Sequence, residues 1–223
     1  GNNFTDSIGL TLNTVNACVG KDWLKCFVTL GTCDEYGSLK VPYSESDQEV
    51  PNSAYAWGKL ATTKLLVALW QTHQFPAVIL RPTVVYGPNQ DLGMFIPALV
   101  SSLLKKQDFQ MTDGSQTRDF LFIDDVISAI VRAANIEGAG QIINVSSDTE
   151  VSLSTLVDLV LKIIDTDVRR HVLKATLPRR HGEVGRYVAT NELAKQILGW
   201  EPTVDLESGL IQTINWYSNS LEA

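Results

Sequence analysis

Nowhere in this chain does a strand-like run lead into G-x-x-G-x-x-G, the glycine-rich turn that holds a dinucleotide's pyrophosphate at a helix N-terminus. The glycines of G-A-G-Q, Gly138 and Gly140, precede a strand-like run instead of following one. Cysteine is scarce. Cys18, Cys26 and Cys33 are an odd number without metal-ligand spacing, so neither a disulfide scaffold nor a metal site is expected, and a reducing, cytoplasmic setting is. His73, His171 and His181 lie far apart, which argues against a histidine metal site. Basic residues are in deficit, with a net charge of −7. That excludes general nucleic-acid binding, and any anionic ligand would need local arginines. No apolar run is long enough to span a bilayer, so no membrane partner is expected.

What remains is ordinary globular material: 223 residues, 44% hydrophobic and 19% charged, ample for a buried core. Phe4, Ile8, Leu12, Val15 and Val19 recur at helical spacing and predict a helix over 3–19. Leu24–Leu30 and Ala77–Leu80 are short apolar runs of the kind buried parallel strands use, as is Gln141–Val145. Between them, 37–53 reads as loop and 53–73 as a helix packed through Leu60, Leu65, Leu66 and Leu69. A helix over 96–105 follows, then a strand over 120–123 and Asp125 as N-cap of a helix over 126–135. Helices over 153–164, 192–198 and 206–218 complete the chain, with Gly199 ending the second. Strands separated by helices imply parallel crossovers.

Tyr55 and Lys59, in S-A-Y-A-W-G-K-L, stand one helical turn apart and project from one face. An ammonium near a phenol favours phenolate, which makes a tyrosine a proton shuttle for alcohol–ketone chemistry. Around them, in order, stand C-F-V-T-L-G-T-C-D-E-Y-G, V-I-L-R-P-T-V-V-Y-G-P, D-G-S-Q-T-R-D-F-L-F-I-D-D-V and I-L-G-W-E-P. In this order and spacing the chain resembles the extended short-chain dehydrogenase/reductase superfamily. More narrowly, it resembles the nucleoside-diphosphate-sugar epimerase/dehydratase group, from about Asn3 to Tyr217.

The resemblance implies a truncated Rossmann-type parallel sheet, over 3–88 and 120–146, with a smaller α/β substrate-binding cap over 89–119 and 147–223. It also implies that roughly 80–100 residues of the first βαβαβ half are absent, with Gly1 a cleavage scar. NAD or NADP is the implied cofactor and a nucleoside-diphosphate sugar the implied substrate. Thr32 would hydrogen-bond the reacting sugar hydroxyl or the tyrosine; Tyr55 would be the acid/base; Lys59 would lower its pKa and bind the nicotinamide ribose. Arg81 and Pro82 would end a strand that lines the cofactor side.

Counting back from Tyr36-Gly37, Cys33 falls where some dehydratases of the group carry Asp, and Asp34 where they carry Glu. Asp34 is thus a candidate acid/base, while Asp34 and Glu35 read equally well as solvent-facing loop acids. Val84 stands where many relatives bind the sugar diphosphate through Asn, and Met111 where aromatics stack on the base. Arg118 and Arg180 match two family arginines that contact substrate phosphate, a task suited to the planar guanidinium. Asp124 and Asp125 read as a helix cap and structural contact.

The expected activity is epimerisation or dehydration of the sugar through C4 oxidation. A 4-keto-sugar reductase or a catalytically silent sugar-nucleotide-binding fragment is the alternative. A dimer or larger homo-oligomer is expected, through helices 3–19 and 53–73 or through the edge of strand 24–30.

Overall fold

The computed structural model describes residues 3–136, 140–180 and 182–222; Gly138 and His181, singled out above, lie outside them. In chain order the elements are α1 (Asn3–Cys18), β1 (Phe27–Leu30), α2 (Ala54–His73), β2 (Ala77–Pro82), β3 (Val84–Tyr86), α3 (Phe95–Leu104), β4 (Phe109–Gln110) and β5 (Thr117–Arg118). They continue with β6 (Phe120–Phe122), α4 (Ile123–Ala133), β7 (Gln141–Val145), β8 (Val151–Ser152), α5 (Leu153–Ile164), β9 (Val172–Leu173), α6 (Glu192–Leu198) and α7 (Leu206–Glu222).

The central sheet is parallel, in the order β1-β2-β7, with Leu30 opposite Leu80 and Arg81 opposite Asn144. Every residue of β2 is buried, and the two-residue alternation of a strand sends them to two different cores. Ala77 and Ile79 pack with Val15, Leu66 and Phe75 under α1 and α2. Val78 and Leu80 pack with Val126, Ala129, Ile143 and Trp200 on the side of α4 and α6. Helices on both faces of a parallel sheet make a mixed α/β, Rossmann-type arrangement, as expected. A further core joins Leu99 and Leu103 of α3, Leu156, Val157 and Val160 of α5, and Leu210 of α7 to Tyr86, Phe120 and Phe122. Two-stranded pairs β3–β6, β4–β9 and β5–β8 stitch the remainder together.

Two elements differ from expectation. β1 starts at Phe27, not Leu24, because Leu24 N–H turns back to the Lys21 carbonyl and pairing begins only where Phe27 meets Ala77. Asp125 is not the N-cap of α4. The helix begins at Ile123, and Asp125 lies in its first turn, accepting from Thr203 N (2.9 Å), Thr203 Oγ1 (2.8 Å) and Val204 N (3.1 Å). Leu69 packs partly inward against the core beneath α1 and α2, as the apolar face of the helix predicts.

Candidate active site

Carboxyl ends of parallel strands point their loops to one side of a sheet. Just past β1, Thr32 caps a 3-10 turn over Cys33–Tyr36: its Oγ1 accepts Asp34 N–H at 3.2 Å, and its own N–H donates to Glu35 Oε1 at 3.1 Å. This reciprocal capping box makes 33–36 a turn of defined shape instead of free loop. Ser53 caps α2 through a 3.1 Å bond from Ala56 N–H, which sets Tyr55 and Lys59 in the first turns of the helix. Tyr55 is 39% exposed. Lys59 Nζ lies 6.0 Å from the centre of its ring and donates to the Leu30 carbonyl at 2.9 Å.

That geometry corrects one expectation. Tyr55's phenol is pushed up, not down: burial is the main cause, followed by the negative charges of Asp34 and Glu35, with hydrogen bonding by Thr32 opposing. Lys59 does not reverse this, because its ammonium is spent on the Leu30 carbonyl beside the ring. Its own pKa is lowered by burial, with Glu35 opposing.

Neither Asp34 nor Glu35 is a solvent-facing acid. Asp34 is half-buried, and burial raises its carboxyl, opposed by hydrogen bonding from Tyr187, by the charge of Arg118 and by Thr32. Glu35 is fully buried and ion-paired to Arg81. Arg81 is equally buried. It pairs with Glu35 Oε2 at 2.6 Å and Glu49 Oε1 at 2.9 Å and lies 4.7 Å over the Tyr36 ring. Its Nε and Nη2 are therefore committed beneath the site, Nη1 has no partner among the described residues, and the side chain has no exposed surface to offer a cofactor. Pro82 ends β2, buried.

Cys33 is buried too, its Sγ directed at the Arg81 carbonyl (3.2 Å), and burial holds the thiol well above its ordinary pKa. The turn thus brings two carboxyls to this end of β1, of which only Asp34 keeps exposed surface. Tyr187 was not foreseen. It sits 155 positions from Thr32, yet packs edge-on against Tyr43 at 5.6 Å and lies beside Asp34 and Thr32.

The cap-side residues divide. Arg118 donates to the Thr117 carbonyl (2.7 Å), the Val184 carbonyl (3.0 Å) and Glu183 Oε1 (2.8 Å). Arg180 has an exposed side chain, and its backbone N–H faces Glu183 Oε2 at 3.4 Å. Glu183 therefore joins both arginines. A cavity of about 400 Å³ opens beside it, between residues 38–41 and 183–186; neither Thr32 nor Tyr55 lines it. Val84 is half-buried between two hydrophobic cores. Met111 does not offer a surface for a base: it is buried in the core of α3, α5 and α7, against Gly114.

The structure thus sets Thr32 just past one strand of a Rossmann-type parallel sheet, with the helix that carries Tyr55 and Lys59 beside it. Comparison with known proteins identifies the family. The NAD dependent epimerase/dehydratase family model matches residues 2–146, and the chain belongs to that family. It is 32% identical over 185 residues to UDP-glucose 4-epimerase of Mycolicibacterium smegmatis, covering 80% of this chain and 57% of that protein. It is 29% identical over 197 residues to mouse dTDP-D-glucose 4,6-dehydratase, covering 86% of this chain and 55% of that protein. The chain thus spans little more than half the length of these relatives. Among solved structures it is similar to UDP-glucuronic acid 4-epimerase from Bacillus cereus, in complex with UDP-glucuronic acid and NAD, with a TM-score of 0.89 and 29% identity over 97% of this chain and 68% of that one. Among the described residues no helix is long and apolar enough to cross a membrane.

Proposed function

We propose that this chain handles the sugar of a nucleoside-diphosphate sugar in NAD-dependent oxidation at C4, and that epimerisation is the outcome the site favours. The observation that carries this reading is the assembly of Thr32, Asp34, Tyr55 and Tyr187 at the carboxyl end of β1. NAD, when bound, would supply the hydride acceptor for C4. Tyr55 takes the proton of the 4-hydroxyl, and Thr32 orients that hydroxyl. Lys59, one turn along α2, would bind the ribose of the nicotinamide end on leaving the Leu30 carbonyl. Arg118 and Arg180 hold the diphosphate.

Epimerisation needs no acid or base beyond Tyr55, because the proton and hydride return to the same carbon and oxygen. Water elimination needs a proton taken at C5 and one given at O6. Asp34 is the one partly exposed carboxyl of the turn, since Glu35 is buried and paired to Arg81, and the Cys33 thiol is buried and turned toward the backbone. The family's epimerases and its dehydratases are both among the relatives at comparable identity, so the argument for epimerisation rests on this local chemistry.

A second reading, favoured by the bond of Lys59 to the Leu30 carbonyl and the raised Tyr55 phenol, is that the chain binds a sugar nucleotide without turning it over. One experiment separates the two. UDP-glucose and dTDP-glucose are titrated calorimetrically, then incubated with NAD and analysed by chromatography and mass spectrometry. Conversion without mass change supports epimerisation; loss of water supports dehydration. Binding without conversion supports the second reading, and absence of binding sinks both. Arg118→Ala should weaken binding by about 1.5–3 kcal/mol if its contact is charge-assisted.

A further inference from the structure

Glu35 is a carboxylate with no exposed surface, and its four hydrogen bonds run to three separate elements. Oε1 accepts the Thr32 N–H at 3.1 Å and the Thr63 hydroxyl at 3.2 Å. Oε2 accepts Arg81 Nε at 3.0 Å and Nη2 at 2.6 Å. Thr32 follows β1, Thr63 is on α2, and Arg81 is on β2. Thr63 stands four residues beyond Lys59 and eight beyond Tyr55, on the same face of α2. Gly31 leaves the space the carboxylate uses: a side chain there would come within 2.6 Å of Oε1 and 3.1 Å of Ile79.

We infer that Glu35 is a positioning residue: a buried carboxylate strut that holds Thr32 in register with the Tyr55–Lys59 face of α2, anchored on Arg81. The inference rests on the reading above that Thr32 and Tyr55 act on one sugar hydroxyl. A carboxylate suits the task because all four incoming groups are donors and both its oxygens accept. An amide would present a donor to one pair and leave either Thr32 N–H or Arg81 facing another N–H. Burying an ion pair is a poor route to stability as such, since the desolvation of both charges offsets much of their attraction. What this pair does achieve is geometric. It ties the loop after β1 to the helix beside it at the point where the two must meet a common substrate atom. Glu49 binds the same arginine, at 2.9 Å, but touches neither Thr32 nor Thr63; its other partner is Lys64.

The test needs no ligand. Difluorotyrosine, whose phenol titrates nearer neutrality, is placed at position 55 and followed by fluorine NMR, while exchange of the Thr32 amide is followed by proton NMR. Thr63→Val cuts the strut at the helix and keeps the ion pair. It should raise the position-55 midpoint by about 0.3 pH units or more as Thr32's hydrogen bond to the phenolate weakens. Glu35→Gln should speed exchange of the Thr32 amide by about tenfold or more, because the amide oxygen turns to the two Arg81 donors and leaves its NH₂ facing the Thr32 N–H. Glu49→Gln, which removes a partner of the same arginine, should change neither.

An unchanged midpoint in Thr63→Val, or the same movement in Glu49→Gln, would overturn the inference and leave Glu35 as an ordinary buried ion pair. Should Glu35→Gln fail to fold, Thr63→Val decides alone. Failure to bind any sugar nucleotide would sink the proposed function while leaving these readouts to be judged on their own.

Discussion

Asp119 is an acid buried without an ion-pair partner among the described residues, and neutralising it should change how stability follows pH. Its carboxyl has no exposed surface. Oδ1 accepts Thr83 Oγ1 at 3.2 Å, Ser147 N at 2.9 Å and Ser147 Oγ at 2.6 Å, while Oδ2 has no partner among the described residues. Burial pushes the carboxyl from 3.8 up to about 6, and hydrogen bonds from Ser147, Thr83 and Ala189 only partly oppose it. A folded pKa above the unfolded one means the native state binds the proton more tightly. The stability this group contributes is therefore complete below about pH 3.8 and is lost as pH rises through about 6. A gap of roughly 2.2 pH units, at about 1.4 kcal/mol each, comes to about 3 kcal/mol in full, of which about 2.4 kcal/mol falls between pH 4 and pH 8.

Asp119→Asn keeps the Oδ1 acceptor and carries no charge at any of these pH values. Urea unfolding of parent and variant at pH 4, 5, 6, 7 and 8 should show the variant gaining about 2.4 kcal/mol on the parent across that range. In thermal scans this would appear as a relative rise of roughly 5–10 °C. Whatever the new NH₂ costs is the same at every pH, so the slope is the test. Two curves that stay parallel within about 0.5 kcal/mol would refute the assignment of a raised Asp119.

Gly209→Ala would place a methyl against the Tyr86 hydroxyl and the Phe122 ring, where α7 crosses β3 and β6. It should cost about 1–3 kcal/mol in urea unfolding, and a cost below about 0.5 would show that contact to be slack. Asp125→Ala removes the acceptor of three bonds from Thr203 and Val204 while leaving the Thr32 turn untouched. About 2–4 kcal/mol should be lost in the same assay with sugar-nucleotide affinity intact in the folded fraction, and weakened binding would contradict the separation of that anchor from the site. The proposed self-association should use the outward faces of α1 and α2, where Leu10 is 72% and Trp57 52% exposed. Leu10→Glu with Trp57→Glu should then shift light scattering toward a monomer, and a folded monomeric parent at high concentration would end that proposal.

Much of the fold was legible because its signals are local. The helices over 153–164 and 192–198 fall where periodicity and Gly199 put them, and the last helix runs to Glu222 instead of stopping at 218. β2 was readable as a buried strand because both its faces are covered, which leaves an unbroken apolar run. The short strands β3, β4, β5, β8 and β9 were not readable. Two or three residues carry no period, and each exists only because a partner from distant sequence presents its backbone, as Val172 does for Phe109.

At the site, the types and spacing of Thr32, Tyr55 and Lys59 were set by the sequence, since one turn of helix places Tyr55 and Lys59 together whatever the rest of the chain does. Their electrostatics were not. Whether a carboxyl is a surface acid or a buried strut depends on which arginine the sheet brings beneath it, and Arg81 reaches Glu35 only because β2 pairs beside β1. Likewise Met111 turned inward, and Tyr187 came to Asp34 across 153 positions. Burial and long-range contact are properties of packed elements, and no short window of residues contains them. The residue sequence therefore determined the family, the helical frame and the spacing of Thr32, Tyr55 and Lys59. Only the tertiary structure decided which charges are desolvated, which are paired, and so what each acid in the T-C-D-E-Y-G turn is for.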